Sequence, residues 1–475
     1  MDSPTSSERS LHQTVLPIDF VIIGGGIAGL CASIALTRAG HHVTLLEQSD
    51  DFDDTVGGGG IKVPPNMSKM LFRWGMHDEV TKHGLKSTSI ELRRYESGDA
   101  LSIQRWSDEI MSQAGGDFLT LHYADLRRIL KNAADKHGIT IHPNTKVVAI
   151  STSPFRKSSV ATESGQTFEA DVIIGADGVE GISRRTVVGQ EERPSSMGLD
   201  AYHAVIPEDK LGDHPELIEM FAGDPLITWF GNKKTVVAYP IQSTKLGRCI
   251  VVTPYLPSDD SVPKGWDTQI PVSTLLEKLQ DSNARLQALC RHATSISCKP
   301  VVQYPELSTW ADQHGKLLVI GDAAHPFYPS GPQHPAMGVC DAATLGHLFH
   351  HLHHRSQIGQ IIEGIIEVRI PRVAQIGGAE WKYLATMTLP DSEMQDTRDR
   401  RMKEENEAGN STMNVEEGDI AEQWAMVYET FAYDAEDEAD EWWMRWGSLH
   451  ERATFRNITP GLTIEVKHEE SAVSA

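Results

Sequence analysis

From Asp19-Phe20-Val21-Ile22-Ile23-Gly24-Gly25-Gly26-Ile27-Ala28-Gly29 the chain passes without a break from an apolar, β-rich run through a glycine cluster into helical sequence. Each glycine has a physical task. Gly24 permits a tight turn, Gly26 removes the Cβ that would block a pyrophosphate, and Gly29 lets helix and strand approach closely. The helix start then offers N–H groups and a partial positive charge to phosphates. Gly40 stops the helix, and His42 to Glu47 reads as a second buried strand. Glu47 ends that strand, where its carboxylate can accept from the ribose hydroxyls of an adenosine. Strand, glycines, helix, stop, strand and acid in that order predict a dinucleotide-binding βαβ unit. They do not separate FAD from a nicotinamide dinucleotide.

That separation comes nearly three hundred residues later, in Gly321-Asp322-Ala323-Ala324-His325-Pro326. It follows the apolar run Leu317-Leu318-Val319-Ile320 and precedes a Gly- and Pro-rich turn leading into a helix. An Asp at a strand end can hold the polyol of a ribityl chain, which FAD has and NAD lacks. Helix entry after Pro335 would aim N–H groups of Ala336 and Met337 at an electron-rich carbonyl edge. Only one complete glycine fingerprint is present.

Between these motifs the periodicity changes. Ser89 to Tyr95 alternates like a strand, and Ala124 to Lys136 has helical spacing. Val147 to Thr152, the Val160 to Thr167 region and Ala170 to Ile174 read as strands, the last entering Gly175-Ala176-Asp177-Gly178. From about residue 194 to 310, short strands at Ala201 to Ile206, Thr235 to Pro240 and Cys249 to Tyr255 predict a mostly antiparallel sheet, with helices at Val272 to Leu279 and Ala284 to Cys290. The expected fold class is α/β: a Rossmann-like FAD-binding domain of the glutathione-reductase type, an inserted antiparallel substrate sheet and a helical C-terminal section. The boundaries are a flexible leader over 1–14, the FAD-binding domain over 15–88, 119–193 and 314–372, and the substrate sheet over 89–118 and 194–313. The helical section covers 373–456 and a polar tail 457–475.

A formal net charge of −23 argues against nucleic acid or an anionic membrane surface as partner. Five scattered cysteines do not make a disulfide framework, and Met1 to Thr14 lacks a signal-peptide pattern, so a reducing, cytoplasmic location is expected. Ile18 to Leu36 is apolar enough to imitate a membrane span, but its glycines and strand-to-helix change favour no membrane span.

The fingerprint, Gly175-Ala176-Asp177-Gly178 and Gly321-Asp322-Ala323-Ala324-His325 together resemble the single-component FAD-dependent aromatic hydroxylases. Pro64-Pro65-Asn66, Tyr239-Pro240 and the Trp-rich C-terminal region are similar to fungal salicylate-hydroxylase-like monooxygenases. The resemblance covers about Ile18 to Leu384. It implies a flavoprotein that NADPH or NADH reduces without a second Rossmann domain, and in which dioxygen gives a flavin C4a-hydroperoxide that hydroxylates a phenolic or other electron-rich aromatic small molecule. By position it implies FAD contacts from Gly24, Gly26, Gly29, Glu47 and Asp322, with Gly59 and Gly60 near the adenosine and ribityl side. Asp177 would support the pyrophosphate region and nicotinamide docking, with Arg184 nearby. Pro329 would lie by the flavin ring, and Tyr239 would touch the substrate hydroxyl. A homodimer is an admissible assembly for such a chain.

Three positions depart from the family pattern. Tyr123 stands where an Arg usually opens the helix, His203 where an Arg often sits on the first substrate-sheet strand, and Gln333-His334-Pro335-Ala336-Met337-Gly338 replaces a Gly- and Asn-rich stretch beside the flavin. Pro335 has no N–H to donate. These departures keep open epoxidation, dearomatisation or oxidative rearrangement of a secondary metabolite on the same scaffold, or a flavin-binding protein without turnover. A neutral His203 would also disfavour a carboxylate-bearing phenol. His347, His350, His351, His353 and His354 have metal-binding spacing on a helix, but a solvated helix end with no metal is the expectation, since a flavin needs no metal to use dioxygen. Trp442, Trp443 and Trp446 are expected to pack the C-terminal section.

Overall fold

The computed structural model describes residues 13–50, 52, 59–106, 108–190, 192–408 and 429–447. Apart from residues 13 and 14, the expected leader lies outside them, as does the tail over 457–475.

A five-stranded parallel sheet runs in the order Leu317–Val319, Val172–Gly175, Asp19–Ile23, His42–Leu46, Thr140–His142. Its central strands are apolar because both faces are covered, as parallel sheets require. The helix Ile27–Arg38 packs against the helix His334–Phe349 so closely that a Cβ on Gly346 would fall 2.7 Å from Ala35 Cβ. The apolar stretch from Ile18 to Leu36 is thus shared between a buried strand and a buried helix. Among the described residues, no helix is long and apolar enough to cross a membrane.

The expected strand Ala170 to Ile174 is two strands in different sheets. Thr167–Ala170 joins Ser158–Thr162 and Val147–Ser151 in a small antiparallel sheet, while Val172–Gly175 enters the parallel one. Asp171 stands between them, accepting from the Asp19 N–H at 3.0 Å.

The large sheet runs Ser295–Gln303, Ser195–Pro207, Gly247–Pro257, Lys234–Ser243, Leu226–Gly231, Ser89–Arg94, Ala100–Arg105. Its pairs are antiparallel except Leu226–Gly231 with Ser89–Arg94. The strands are longer than the alternation predicts because each is laddered along both edges. Leu119–His122 pairs with Gly60–Val63 and touches the large sheet through Leu121 and Gln242. The segment after the nucleotide unit is therefore stitched directly to that sheet.

The helix Ile358–Met387 and the helix Ala435–Trp442 close the described C-terminal part. They overturn the solvated-histidine expectation for His347 and His351, whereas His353 and His354 are exposed. His347 is buried, with Nε2 2.7 Å from Asp440 Oδ1, and the His351 ring stacks on Trp443 at 4.2 Å. The acid is distant in sequence and arrives only when the C-terminal helix docks. Trp446, in contrast, is 56% exposed and packs no core.

Candidate active site

The glycine loop is built around three different spaces. Gly24 has φ 103°, and a Cβ on it would fall 2.4 Å from the Ala176 carbonyl oxygen. A Cβ on Gly29 would lie 1.9 Å from the Gly24 oxygen, so helix and strand touch here. Gly26 differs: nothing lies within 4 Å of its Cβ position, and it begins the helix Ile27–Arg38 without any side-chain cap. Uncapped N–H groups with open space in front fit a pyrophosphate. Glu47 is buried beside this loop, accepting from the Gly25 N–H at 2.6 Å and the Ser49 N–H at 2.8 Å.

Arg127 was not anticipated. It lies one turn beyond Tyr123 on the helix Tyr123–Lys136, donates to the Gly25 carbonyl at 2.9 Å and approaches Glu47 Oε2 at 3.5 Å. The cation missing at Tyr123 is therefore supplied four residues later, where helical periodicity returns the chain to the same face. Tyr123 itself donates its N–H to the Gly59 carbonyl at 2.9 Å. Burial raises its hydroxyl pKa, with Arg127 pulling it down and Asp322 and Glu47 adding to the rise.

Asp177 Oδ2 accepts from the Ser183 N–H at 3.0 Å, and its Oδ1 is buried without a partner among the described residues. Burial raises this carboxyl against the pull of the Ser183 hydrogen bonds. Arg184 corrects the expectation of a nicotinamide-side cation. It is fully buried, and its donors go to Glu192 at 2.5 and 2.8 Å, to the Ala323 and Ala324 carbonyls at 3.1 and 2.9 Å, and to the Pro305 carbonyl at 3.0 Å. Those five bonds use all the guanidinium N–H groups. Arg184 clamps the turn after Asp322 and has nothing left for a ligand.

The same turn is held from its other side by His325, whose Nε2 lies 2.6 Å from Asp341 Oδ2, and Asp341 is in turn bonded by Arg369 at 2.9 Å. Asp322 stays partly exposed, with Oδ1 2.6 Å from His334 Nε2. Ala336 is buried in the first turn of its helix, and the Met337 N–H donates to the Gln333 carbonyl at 3.1 Å. That amide belongs to the helix rather than to an outward-facing pair.

Gly59 and Gly60 bring the nucleotide segment onto the large sheet. A Cβ on Gly59 would collide with His203 Nε2 at 1.8 Å, and one on Gly60 would lie 2.8 Å from Tyr239 Cε2. His203 is buried, and burial with the nearby Lys62 charge lowers its pKa to about 4, so the ring is neutral. Burial pushes the Tyr239 hydroxyl far above its usual range, so it acts as a donor and not a base. Pro329 accepts from the Tyr255 hydroxyl at 2.6 Å, which ties its turn to the sheet. Lys62, which its apolar strand did not mark as special, donates to the Ser330 carbonyl at 2.7 Å. His203, Tyr239 and the Pro329 turn thus converge on one buried face of the large sheet, while Gly24, Gly26, Gly29 and Glu47 form a second locus.

The family described as FAD binding domain matches residues 18–357. The chain belongs to that family. FAD-dependent monooxygenase OpS4 of Beauveria bassiana is 28% identical to it, covering 89% of this chain and 97% of that one. The 3-amino-4-hydroxybenzoate 2-monooxygenase PtmB3 of Streptomyces platensis is 27% identical, covering 80% of this chain and 91% of the relative. In fold the chain is similar to CtdE solved with FAD and a substrate, with TM-score 0.75 and 21% identity over 91% of this chain and all of that one. It is also similar to a salicylate hydroxylase, with TM-score 0.69 and 18% identity over 89% of this chain and 97% of that one. The chain is an FAD-dependent monooxygenase of the aromatic-hydroxylase type.

The observed loci fit FAD. Gly26 and Gly178 each leave the space of a side chain empty, and Asp322 keeps a carboxylate partly open at a strand end. All five cysteines are buried and free, and Cys31 is held as a thiol by burial, so it remains a packed residue.

Proposed function

We propose that the protein uses NAD(P)H and dioxygen to hydroxylate a phenolic or other electron-rich aromatic small molecule where the large sheet meets the Pro329 turn. Gly24, Gly26, Gly29, Glu47, Asp177 and Asp322 hold FAD, with Arg127 orienting Glu47. When bound there, FAD supplies the redox chemistry that links the nicotinamide to dioxygen. The chain's own residues bind, orient and exclude water.

The observation that carries this reading is the convergence of Gly59, Gly60, His203 and Tyr239 on one buried face beside Pro329. It joins the nucleotide segment to a buried face that carries an imidazole and a phenol. The test is direct. The purified protein is expected to be yellow and to oxidise NADPH or NADH faster when a suitable phenol is added, with one oxygen atom from dioxygen in the product. Bound FAD with no stimulated oxidation across a broad phenol panel would overturn the hydroxylase reading.

A further inference from the structure

Lys62 lies in the strand Gly60–Val63 and is only 6% exposed. Its ammonium has three donors. One reaches the Ser330 carbonyl, and the charge lies 4.8 Å from the Tyr239 ring centroid. No carboxylate pairs with it among the described residues. Burying an ammonium without a carboxylate partner costs several kcal/mol. Glu380, on the helix Ile358–Met387, is also buried, and its Oε2 has no partner among the described residues. It lies against Gly331, where a Cβ would fall 2.6 Å from that oxygen. Adjacent residues of one turn, Ser330 and Gly331, therefore bring an underused buried donor and an unmatched buried acceptor to the same place.

We propose that Lys62 and Glu380 are a split ion pair that a substrate hydroxyl closes, Lys62 holding the oxygen and Glu380 Oε2 taking its proton. This rests on the hydroxylase reading and deepens it: the substrate enters as a neutral phenol and is held as its phenolate. The O–H bond breaks, the proton passes to the Glu380 carboxylate, and the electron pair stays on the oxygen beside the Lys62 ammonium. Charge is conserved within the site.

The protonation balance supports this. Burial lowers Lys62 to about 8 even with Glu380 opposing, and burial raises Glu380 to about 7 against the pull of Lys62 and Tyr328. Groups with such values near neutrality suit proton transfer. Around Lys62 stand His203, which is neutral, and Tyr239, which stays protonated. Around Glu380 stand Tyr328, Tyr255 and Tyr383, all kept protonated by burial, and His334, which is engaged by Asp322. Because His334, whose pKa Asp322 raises against burial, is a further titrating group beside Glu380, the test reads ionisation on the ligand itself.

The probe is 4-nitrophenol, whose phenolate absorbs in the visible, added to the FAD-loaded protein. Its bound form is expected to ionise about one pH unit or more below the free phenol, the effect of a close opposite charge. Lys62→Met should abolish that shift and Lys62→Arg should restore part of it. Glu380→Gln should leave the probe bound as phenolate but lower kcat for any phenol that is turned over. If Lys62→Met misfolds, the Lys62→Arg and Glu380→Gln arms still decide. A wild-type protein that binds the probe without shifting its ionisation, or one that binds no phenol, overturns the pair. A Lys62-dependent shift with no phenol turned over would keep the pair and defeat the hydroxylase reading. Turnover unaffected by Lys62→Met would do the reverse.

Discussion

His334 Nε2 lies 2.6 Å from Asp322 Oδ1, so the residue expected to hold the ribityl chain is itself held by a histidine twelve positions later. Burial works against the charge on His334, but Asp322 outweighs it and raises the imidazole pKa. Burial likewise works against the Asp322 charge, and His334 outweighs it and lowers the carboxyl pKa. The histidine contribution to stability is fully present below about pH 6.5 and fades as pH rises through the raised folded value. The aspartate contribution is present above about pH 3.9 and fades as pH falls through the lowered folded value. The Tm gap between wild type and His334→Ala should therefore be widest between about pH 4 and 6.5 and narrow on both sides. Thermal melts across pH check this; a gap that does not vary with pH removes the ion pair from the account.

Gly26 and Gly29 should respond differently to the same methyl group. Gly26→Ala meets no protein atom within 4 Å, so the apoprotein should melt like wild type. FAD should bind more weakly by about 1–3 kcal/mol, roughly ten- to hundredfold in Kd. Gly29→Ala drives a carbon into the Gly24 carbonyl and should lower the Tm of the apoprotein too. Melts of the apoprotein and FAD titrations separate the two.

Arg184→Leu should act on stability and not on nicotinamide affinity. It removes the five hydrogen bonds of a buried guanidinium and leaves Glu192 without its partner, a loss of about 3–5 kcal/mol. Urea unfolding measures it. A variant as stable as wild type but with a raised KM for NADPH would return Arg184 to the nucleotide site.

Tyr239→Phe should spare the fold, because the hydroxyl forms no hydrogen bond among the described residues and the ring is retained. If that hydroxyl donates to the substrate, kcat/KM should fall by about 1–3 kcal/mol while the visible flavin spectrum is unchanged. Unaltered turnover removes Tyr239 from the reaction.

The βαβ unit from Asp19 to Glu47 was legible in the residues because its determinants are local. Glycine conformation, helix start and strand end follow from neighbours a few positions apart, and the structure repeats them. The class of cofactor came from the order of such units along the chain. What only tertiary structure decided is which side chains are already paired. Arg184 reads in sequence as a cation near a nucleotide and is consumed by carbonyls and Glu192. The acidic partner of His347 is Asp440, while Lys62 reaches Ser330 and Glu380 lies against the adjacent Gly331 without the two side chains pairing. Charge, protonation and free hydrogen-bonding capacity depend on burial and on partners hundreds of residues away, and no local pattern encodes them.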